Sequence, residues 1–590
     1  MAYVVLARDW FNISISFRSL EVAMILSKSR RQCRAATIAA LLILPLPVGA
    51  NWSADPGVSV PVCVAIGEQT WIRSVGDGAN GIIITWQDSR TYPSLIYIQR
   101  IGADGSPVWA ADGVPICTAS SSGHVPEIIS DGAGGAVITW WDNRAVGRIR
   151  AQRVSAEGIT MWGPQGVSVC EAPGRQESPA LVGDGSGGAI IAWGDQRNGD
   201  FYDIYAQRVS SAGVVQWSAN GIPVCNAARS QYRPLLATDG AAGAIIVWSD
   251  GRNDWDIYAQ RVTDSGQIAW QVDGVAVCAA TGQQGYPFII TDGAHGAILA
   301  WTDERNGYLQ LYAQRVSGAG ESQWAVDGVN FSFASEECGS PVLIPDSAGG
   351  AVVAWHEWHP TGNTISATRI DADGDFTWTT NVATLGYPYH QANNPQISSD
   401  GADGAIVTWS DTPADKYDFD ILAQHISGAG ASLWQDGGVR ICSAPGDQGS
   451  HSMVADGEHG AIVAWHDLRN SEWTQGDVFV QRVMADGRIA GHVSAVPAVA
   501  VHNLRCLPNP FNPRATIHFD LPEPGPVRLA IHDLAGRLIR TLVDQYLSAG
   551  SHQAIWDGRD AFGRDVASGT YLARFESGGG LETLGIGLVR

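Results

Sequence analysis

Carboxylates set two residues before an arginine, just after a tryptophan, form the commonest chemistry-bearing pattern in this 590-residue sequence. The pairs are Asp88/Arg90, Asp142/Arg144, Asp195/Arg197, Asp250/Arg252, Asp303/Arg305 and Asp467/Arg469. Such a set suits a ring of charge for a polyanion or metal, or else a structural bridge repeated because its surroundings repeat. A single active site is not built six times, which favours the bridge. Arg100, Arg153, Arg208, Arg261, Arg315, Arg369 and Arg482 recur with the same regularity and are read the same way. Asp195, Asp200 and Asp203 are hard oxygen ligands of the kind calcium takes, though without an EF-hand spacing. No other cofactor is indicated.

Residues that break the pattern are the better candidates for function. His356-Glu357-Trp358-His359 replaces one Asp-x-Arg, and seven of the fourteen His lie between 356 and 466, His390, His425, His459 and His466 among them. Where six copies carry Pro, the first and last carry Ile72 and His451. Trp71 and Arg73 flank Ile72, with Glu127, Asn394 and Gln396 at matching places. Together these suggest a ligand pocket with Trp71 as a stacking platform and Arg73 and Glu127 as polar contacts. Drift at the terminal copies plus an Arg73–Glu127 surface pair is the rival and stronger reading. Two His on one loop, His356 and His359, do not define a zinc site without a third ligand.

The elements that must position these residues come from one repeated unit. Copies of Asp239-Gly-Ala-Ala-Gly-Ala-Ile-Ile-Val-Trp-Ser-Asp-Gly-Arg252 begin at Asp77, Asp131, Asp184, Asp239, Asp292, Asp346, Asp400 and Asp456, spaced 53 to 56 residues apart. Within a unit, Arg233–Thr238 reads as a strand and Asp239–Gly243 as a glycine-rich hairpin turn. Ala244–Trp248 is an apolar second strand, Asp256–Val262 a third and Gly274–Cys278 a fourth. Four antiparallel strands at this period predict an all-β, eight-bladed β-propeller over residues 51–490.

Tryptophans mark the same period. Trp86, Trp140, Trp193, Trp248, Trp301, Trp355, Trp409 and Trp465 end the second strands, and Trp109, Trp162, Trp217, Trp270, Trp324, Trp378 and Trp434 open the fourth. The missing eighth is Trp52, since Trp52–Cys63 matches Trp109–Cys117. The N-terminal strand is therefore expected to complete the last blade and close the ring, removing exposed sheet edges. Ala-Asp-Gly-Ser-Pro-Val-Trp109 and Ala-Asp-Gly-Asp-Phe-Thr-Trp378 resemble the tryptophan-docking turns of the pyrroloquinoline-quinone family of eight-bladed propellers. That resemblance implies Trp packing between neighbouring blades. The adjacent cysteine pair of that family's quinone enzymes has no counterpart here, which speaks against quinone chemistry.

Composition sets further limits. With 69 Gly, 23 Trp and 45% hydrophobic residues, the chain suits short strands in stacked sheets. Residues 1–50 read as a signal peptide: Lys28, Arg30, Arg31 and Arg34 precede the apolar run 35–46, and small residues end at Ala50. They hold six Lys and Arg against two Asp and Glu, so their removal takes the net charge from −22 to −26. Such acidity argues against nucleic acid or anionic lipid as partner, and no later segment is long and apolar enough for a membrane span. The nine Cys would suggest disulfides in an exported chain. Cys63, Cys117, Cys170, Cys225, Cys278 and Cys442 each stand alone in a repeat, too far apart to bridge, and read as small buried hydrophobes.

Residues 491–506 form a Val/Ala/Pro linker. In residues 507–590, Leu507–Pro513, Thr516–Leu521, Val527–Arg537, Trp556–Asp560 and Ser568–Leu572 alternate strand runs with turn clusters, as a small β-sandwich does. This segment resembles the C-terminal sorting domains of type IX secretion cargo and the related immunoglobulin-like domain of the flagellar hook-capping protein. The resemblance implies delivery to the cell surface or medium, with the secretion machinery as partner. The sequence thus points to an exported, non-catalytic module binding a glycan or a surface protein. A sialidase-like hydrolase or a polysaccharide lyase is the chief alternative, although the Ser-x-Asp-x-Gly-x-Thr-Trp box of sialidases is absent and few carboxylates lie outside the repeat. A structural surface-layer component is the third.

Overall fold

A computed structural model describes residues 52–590 apart from 118–122, 144–146, 333–336, 360–361, 379–382, 385–391, 413–417, 471–474, 491–503, 522–524, 534–536, 549 and 578–579. The signal-peptide reading of residues 1–50, most of the linker, Arg144 and His390 lie outside the described residues. All regular elements described are strands, and no described helix is long and apolar enough to cross a membrane. Residues up to 490 build eight four-stranded antiparallel sheets.

The fourth sheet shows how the sequence makes one. Its strands are Gln231–Thr238, Ala244–Asp250, Asp256–Val262 and Val275–Cys278. The Asp239 carboxylate accepts the Ala241 and Gly243 amides at 2.8 Å each, which closes the first hairpin. Gly240 and Ala242 take φ of 70° and 64° there, the left-handed values a tight turn needs. The second strand is buried along nearly its whole length because sheets cover it on both faces. Trp248 is fully buried, and its indole N–H donates to Asp250 Oδ2 at 2.8 Å. Burial of an indole contributes roughly 4–6 kcal/mol, and eight tryptophans occupy this place, all at 0% exposure.

Trp270 precedes the fourth strand rather than opening it, lying in the turn before Val275. Gln260 holds it there: its side-chain oxygen accepts the Trp270 amide at 3.0 Å, and its amide donates to the Gln271 carbonyl at 2.7 Å. The indole then reaches the next sheet and donates to the Gly318 carbonyl at 3.0 Å. A Cβ on Gly320 would stand 2.9 Å from that ring, so only glycine lets the turn approach it. Equivalent bonds run from Trp52 to Ala103, Trp109 to Ala156, Trp162 to Ser211, Trp217 to Asp264, Trp324 to Ala372, Trp378 to Gly428 and Trp434 to Ala485.

The eighth sheet takes its outer strand from the opposite end of the sequence. Val60–Cys63 pairs antiparallel with Asp477–Val483, Val60 facing Val480. Around it, Gln481 donates to the Ser53 carbonyl at 2.9 Å, and the Ser443 amide to the Pro56 carbonyl at 3.2 Å. One apolar cluster joins Trp52, Val60 and Val62 to Ile462 and Val480 of the eighth sheet and Ile82 and Trp86 of the first.

Residues 504–590 form a three-stranded sheet, from Arg505–Leu507, Ala515–Leu521 and Gly550–Trp556, and a four-stranded sheet, from Gly525–Asp533, Leu538–Leu547, Gly569–Ser577 and Gly580–Leu588. Their alternating apolar residues meet in a core around Trp556, Phe511, Phe519, Ile531 and Phe575.

If the N-terminal segment holds the eighth sheet as these contacts indicate, Trp52→Ala will cost about 3–5 kcal/mol in urea unfolding. Deleting residues 52–64 will lower the melting temperature and blunt the cooperativity of the transition. An unchanged melting curve in the deletion would show that the strand is dispensable.

Candidate functional site

The five Asp-x-Arg pairs within the described residues are internal clasps, and Asp142, whose Arg144 lies outside them, is held by Arg150 at 2.8 Å. Arg252 donates to both oxygens of Asp250, at 2.9 and 2.6 Å, and from the same Nη2 to the Asp273 carbonyl at 2.7 Å and to Cys225 Sγ of the preceding sheet at 3.3 Å. Its guanidinium lies 3.8 Å from the centroid of the Tyr258 ring. The same arrangement recurs at Arg90, Arg197, Arg305 and, with Phe479 in place of the tyrosine and the Ser59 hydroxyl in place of the carbonyl, at Arg469. These cysteines are free and buried as expected, but they also accept charge-assisted contacts from arginine, so they are more than apolar filler. Burial pushes the Cys63, Cys225 and Cys278 thiols up to about 12, which keeps them protonated and inert. The third-strand arginines are likewise committed, Arg261 to Asp239 at 3.0 Å and to the Gly318 carbonyl at 3.0 Å.

Calcium finds no assembled carboxylate set at Asp195, Asp200 and Asp203. Asp195 is bound by Trp193 and Arg197, Asp203 accepts from Asn198 at 2.8 Å, and Asp200 takes part through its backbone carbonyl. Among the described residues no three His, Cys, Asp or Glu side chains stand close enough to hold a metal.

Candidate positions lie instead where each first strand breaks step. All eight first strands carry an irregularity in their pairing with the second, and one residue inside it is left-handed. These are Trp71, Val125, Ser178, Arg233, Tyr286, Ser340, Asn394 and Ser450, with φ between 44° and 55°. None is glycine, so each costs about 1–2 kcal/mol of backbone strain. The bulge lifts that side chain out of the ladder and re-aims it. Trp71, Arg233, Tyr286, Ser340, Asn394 and Ser450 are exposed there, Trp71 at 50% and Tyr286 at 68%.

Two residues further on, the sheets divide into two arcs. Gln396, Ser452, Arg73 and Glu127 come from the seventh, eighth, first and second sheets, and Ala180, Leu235, Phe288 and Val342 from the third to the sixth. Arg73 Nε donates to Glu127 Oε1 at 3.1 Å, with 39% and 30% of the two side chains exposed. Protein surrounds the Glu127 carboxyl although solvent reaches it. Burial raises its affinity for a proton, against the opposing charge of Arg73. Trp71, Arg73, Glu127, Asn394 and Gln396 therefore share one end of neighbouring sheets, the eighth and first joined by a Ser74–Ser452 hydroxyl bond of 2.8 Å.

The histidines do not join them. His451 is buried where other repeats have Pro, 3.5 Å from Ser410 Oγ, and burial pushes it down to about 4. His356 is buried edge-on against Trp358 at 4.0 Å and is also pushed down to about 4 by burial. His359 fills the arginine position of the clasp, 3.3 Å from Glu357, which accepts from Trp355 at 2.9 Å as the aspartates do elsewhere. His356-x-x-His359 is thus a variant clasp plus a packed ring. His425 replaces the third-strand arginine and bonds Asp400 at 2.9 Å. Burial alone would raise the Asp400 carboxyl, but the His425 bond and two turn amides hold it below the ordinary carboxylate range.

Arg233 and Tyr286 were not singled out by sequence. Their signal is the variable residue before the repeated Pro, but the sign of φ that exposes it is set by the ladder mismatch and cannot be read from composition.

Residues 511–579 match the FlgD Ig-like domain. Solved structures similar to the chain include a polysaccharide lyase described as an ulvan lyase, at 12% identity over 75% of this chain and 97% of its own, TM-score 0.39. The β-propeller domain of the Trilobed protease from Pyrococcus furiosus matches at 12% identity over 63% and 99%, TM-score 0.36. An endo-arabinase from Bacteroides thetaiotaomicron matches at 15% identity over 42% and 92%, TM-score 0.26. No curated protein matches the chain.

The buried histidines predict acid sensitivity with a definite sign. Their folded values of about 4 lie below the ordinary 6.5, so below about pH 6.5 the unfolded chain takes up protons that the folded chain refuses. Stability will fall from pH 6.5 to 4 by up to about 3 kcal/mol per histidine. Combining His356→Thr with His451→Pro, the residues other repeats use, will flatten that slope in urea unfolding measured across the range. An equal slope in the double variant would refute the assignment.

Proposed function

We propose that this chain is an exported, non-catalytic glycan-binding protein. Its repeats make a closed eight-bladed propeller, and its C-terminal FlgD-like domain serves for sorting or anchoring at the cell surface. Closure is supported by the pairing of Val60–Cys63 with Asp477–Val483 and by the Trp52 bond to Ala103, which continue at the eighth sheet the pattern of the other seven. The binding reading rests on one observation: six of the eight strained bulges expose single side chains at one end of the sheets, Trp71 and Tyr286 among them. Exposed rings on a rigid strand edge stack against sugar faces with little entropy to lose. Meanwhile the repeat's carboxylates are occupied by internal partners.

A catalytic reading has one observation in its favour, the raised carboxyl of Glu127 beside Arg73. That is the environment of a general acid. A protein rather than a glycan ligand is the other outcome the test separates.

Purified full-length protein will bind at least one glycan class on an array and release neither reducing sugar nor unsaturated uronate from it. Trp71→Ala and Tyr286→Ala will each weaken binding by about three- to tenfold. Product release abolished by Glu127→Gln would move the chain to the enzymes, and no binding to any glycan would end the proposal.

A further inference from the structure

The left-handed positions are not equal in chemistry, and the fourth and fifth sheets carry the most distinctive pair. Arg233 and Tyr286 occupy them, with the Arg233 guanidinium 5.5 Å from the Tyr286 ring centroid. Both side chains are exposed. Two residues on, Leu235 is half-buried and Phe288 is 39% exposed. Trp255, 38% exposed, stands at the same end, because its carbonyl accepts the Gln284 amide that opens the fifth sheet, at 2.6 Å.

Arg233 differs from every other described arginine before residue 491. Most of those arginines hold a carboxylate, including Arg73, Arg175 and Arg440 near strand ends. Arg148 and Arg229 donate to backbone carbonyls. Arg233 alone has neither a hydrogen bond nor an ion pair, its single interaction being the Tyr286 face. The sequence has 59 Asp and Glu against 37 Lys and Arg, so carboxylates are not in short supply. A guanidinium left open at a strained position, stacked on an exposed ring, is a preorganised fork for a carboxylate from outside.

We infer that the Arg233–Tyr286 edge binds a carboxylate-bearing sugar, a uronate residue of an acidic glycan. Arg233 takes the carboxylate in bidentate fashion, and Tyr286 and Phe288 take the sugar's C–H face. The inference rests on the glycan-binding reading and narrows it to a substrate class. The chain's net charge of −22 opposes anions at long range, so a uronate would be held here by the local guanidinium, beside the uncharged Ala180, Leu235, Phe288 and Val342 positions.

Full-length protein titrated with oligogalacturonate, and with a neutral galactan oligomer of equal length, tests it by calorimetry. The acidic oligomer should bind, and Arg233→Ala should weaken it by tenfold or more while leaving any neutral-oligomer binding unchanged. Raising salt should weaken the acidic oligomer selectively. Tyr286→Ala should weaken binding of the acidic oligomer too. Arg488→Ala, which removes an exposed cation elsewhere, should leave both unchanged, showing that net charge is not the cause. Unaltered oligogalacturonate binding in Arg233→Ala, equal loss in Arg488→Ala, or no oligogalacturonate binding would overturn the inference. Binding of neutral glycans on the array would in that last case keep the broader reading, whereas silence across the array would remove both.

Discussion

Each repeat is tied to the next by an indole that donates to a backbone carbonyl in the neighbouring sheet's turn. In five places the third-strand arginine donates to the same oxygen, as Arg261 and Trp270 do to Gly318, Arg100 and Trp109 to Ala156, and Arg315 and Trp324 to Ala372. Two donors on one acceptor set the spacing between sheets and their angle together. The hairpin aspartate, the glycine under the indole and the glutamine that holds the tryptophan amide all serve this contact. That dependence explains why these residue types recur while others vary. A change at any one of them would leave a buried donor or charge without its partner, and such losses are expensive inside stacked sheets.

The same economy accounts for the charged residues. An aspartate held by an indole and a guanidinium, with a cysteine sulfur and a tyrosine face completing the arginine's surroundings, has no lone pair to spare for a ligand. The sixth repeat shows that the role, rather than the residue, is retained: Glu357 and His359 stand where Asp and Arg stand elsewhere, and Trp355 still donates to the acid. His356 and His451 are replacements within buried packing positions. Burial lowers the proton affinity of both, which makes their sheets sensitive to acid.

Variation is concentrated instead at the bulges of the first strands. The backbone there is the same in all eight sheets, and the side chain runs through Trp, Val, Ser, Arg, Tyr, Ser, Asn and Ser. A scaffold that bears strain at one residue per sheet, and then varies that residue, concentrates its chemical variety at one end of the sheets. The polar arc around Arg73 and Glu127 and the apolar arc around Leu235 and Phe288 give that end two chemically different sides.

The sequence by itself determined the repeat, its four-strand content, the tryptophan at each second-strand end and the match of Trp52–Cys63 to later copies, because these follow from local periodicity and turn chemistry. It also showed where the pattern fails, at Ile72, His356 and His451. Tertiary structure decided what those failures mean. Whether Arg233 is free or paired depends on where carboxylates from other sheets fall. Whether His451 is a ligand or a buried ring depends on what covers it. Whether the residue before Pro is displayed or packed depends on a ladder mismatch between two strands. These are distances between residues far apart in the chain, and no period of one strand encodes them.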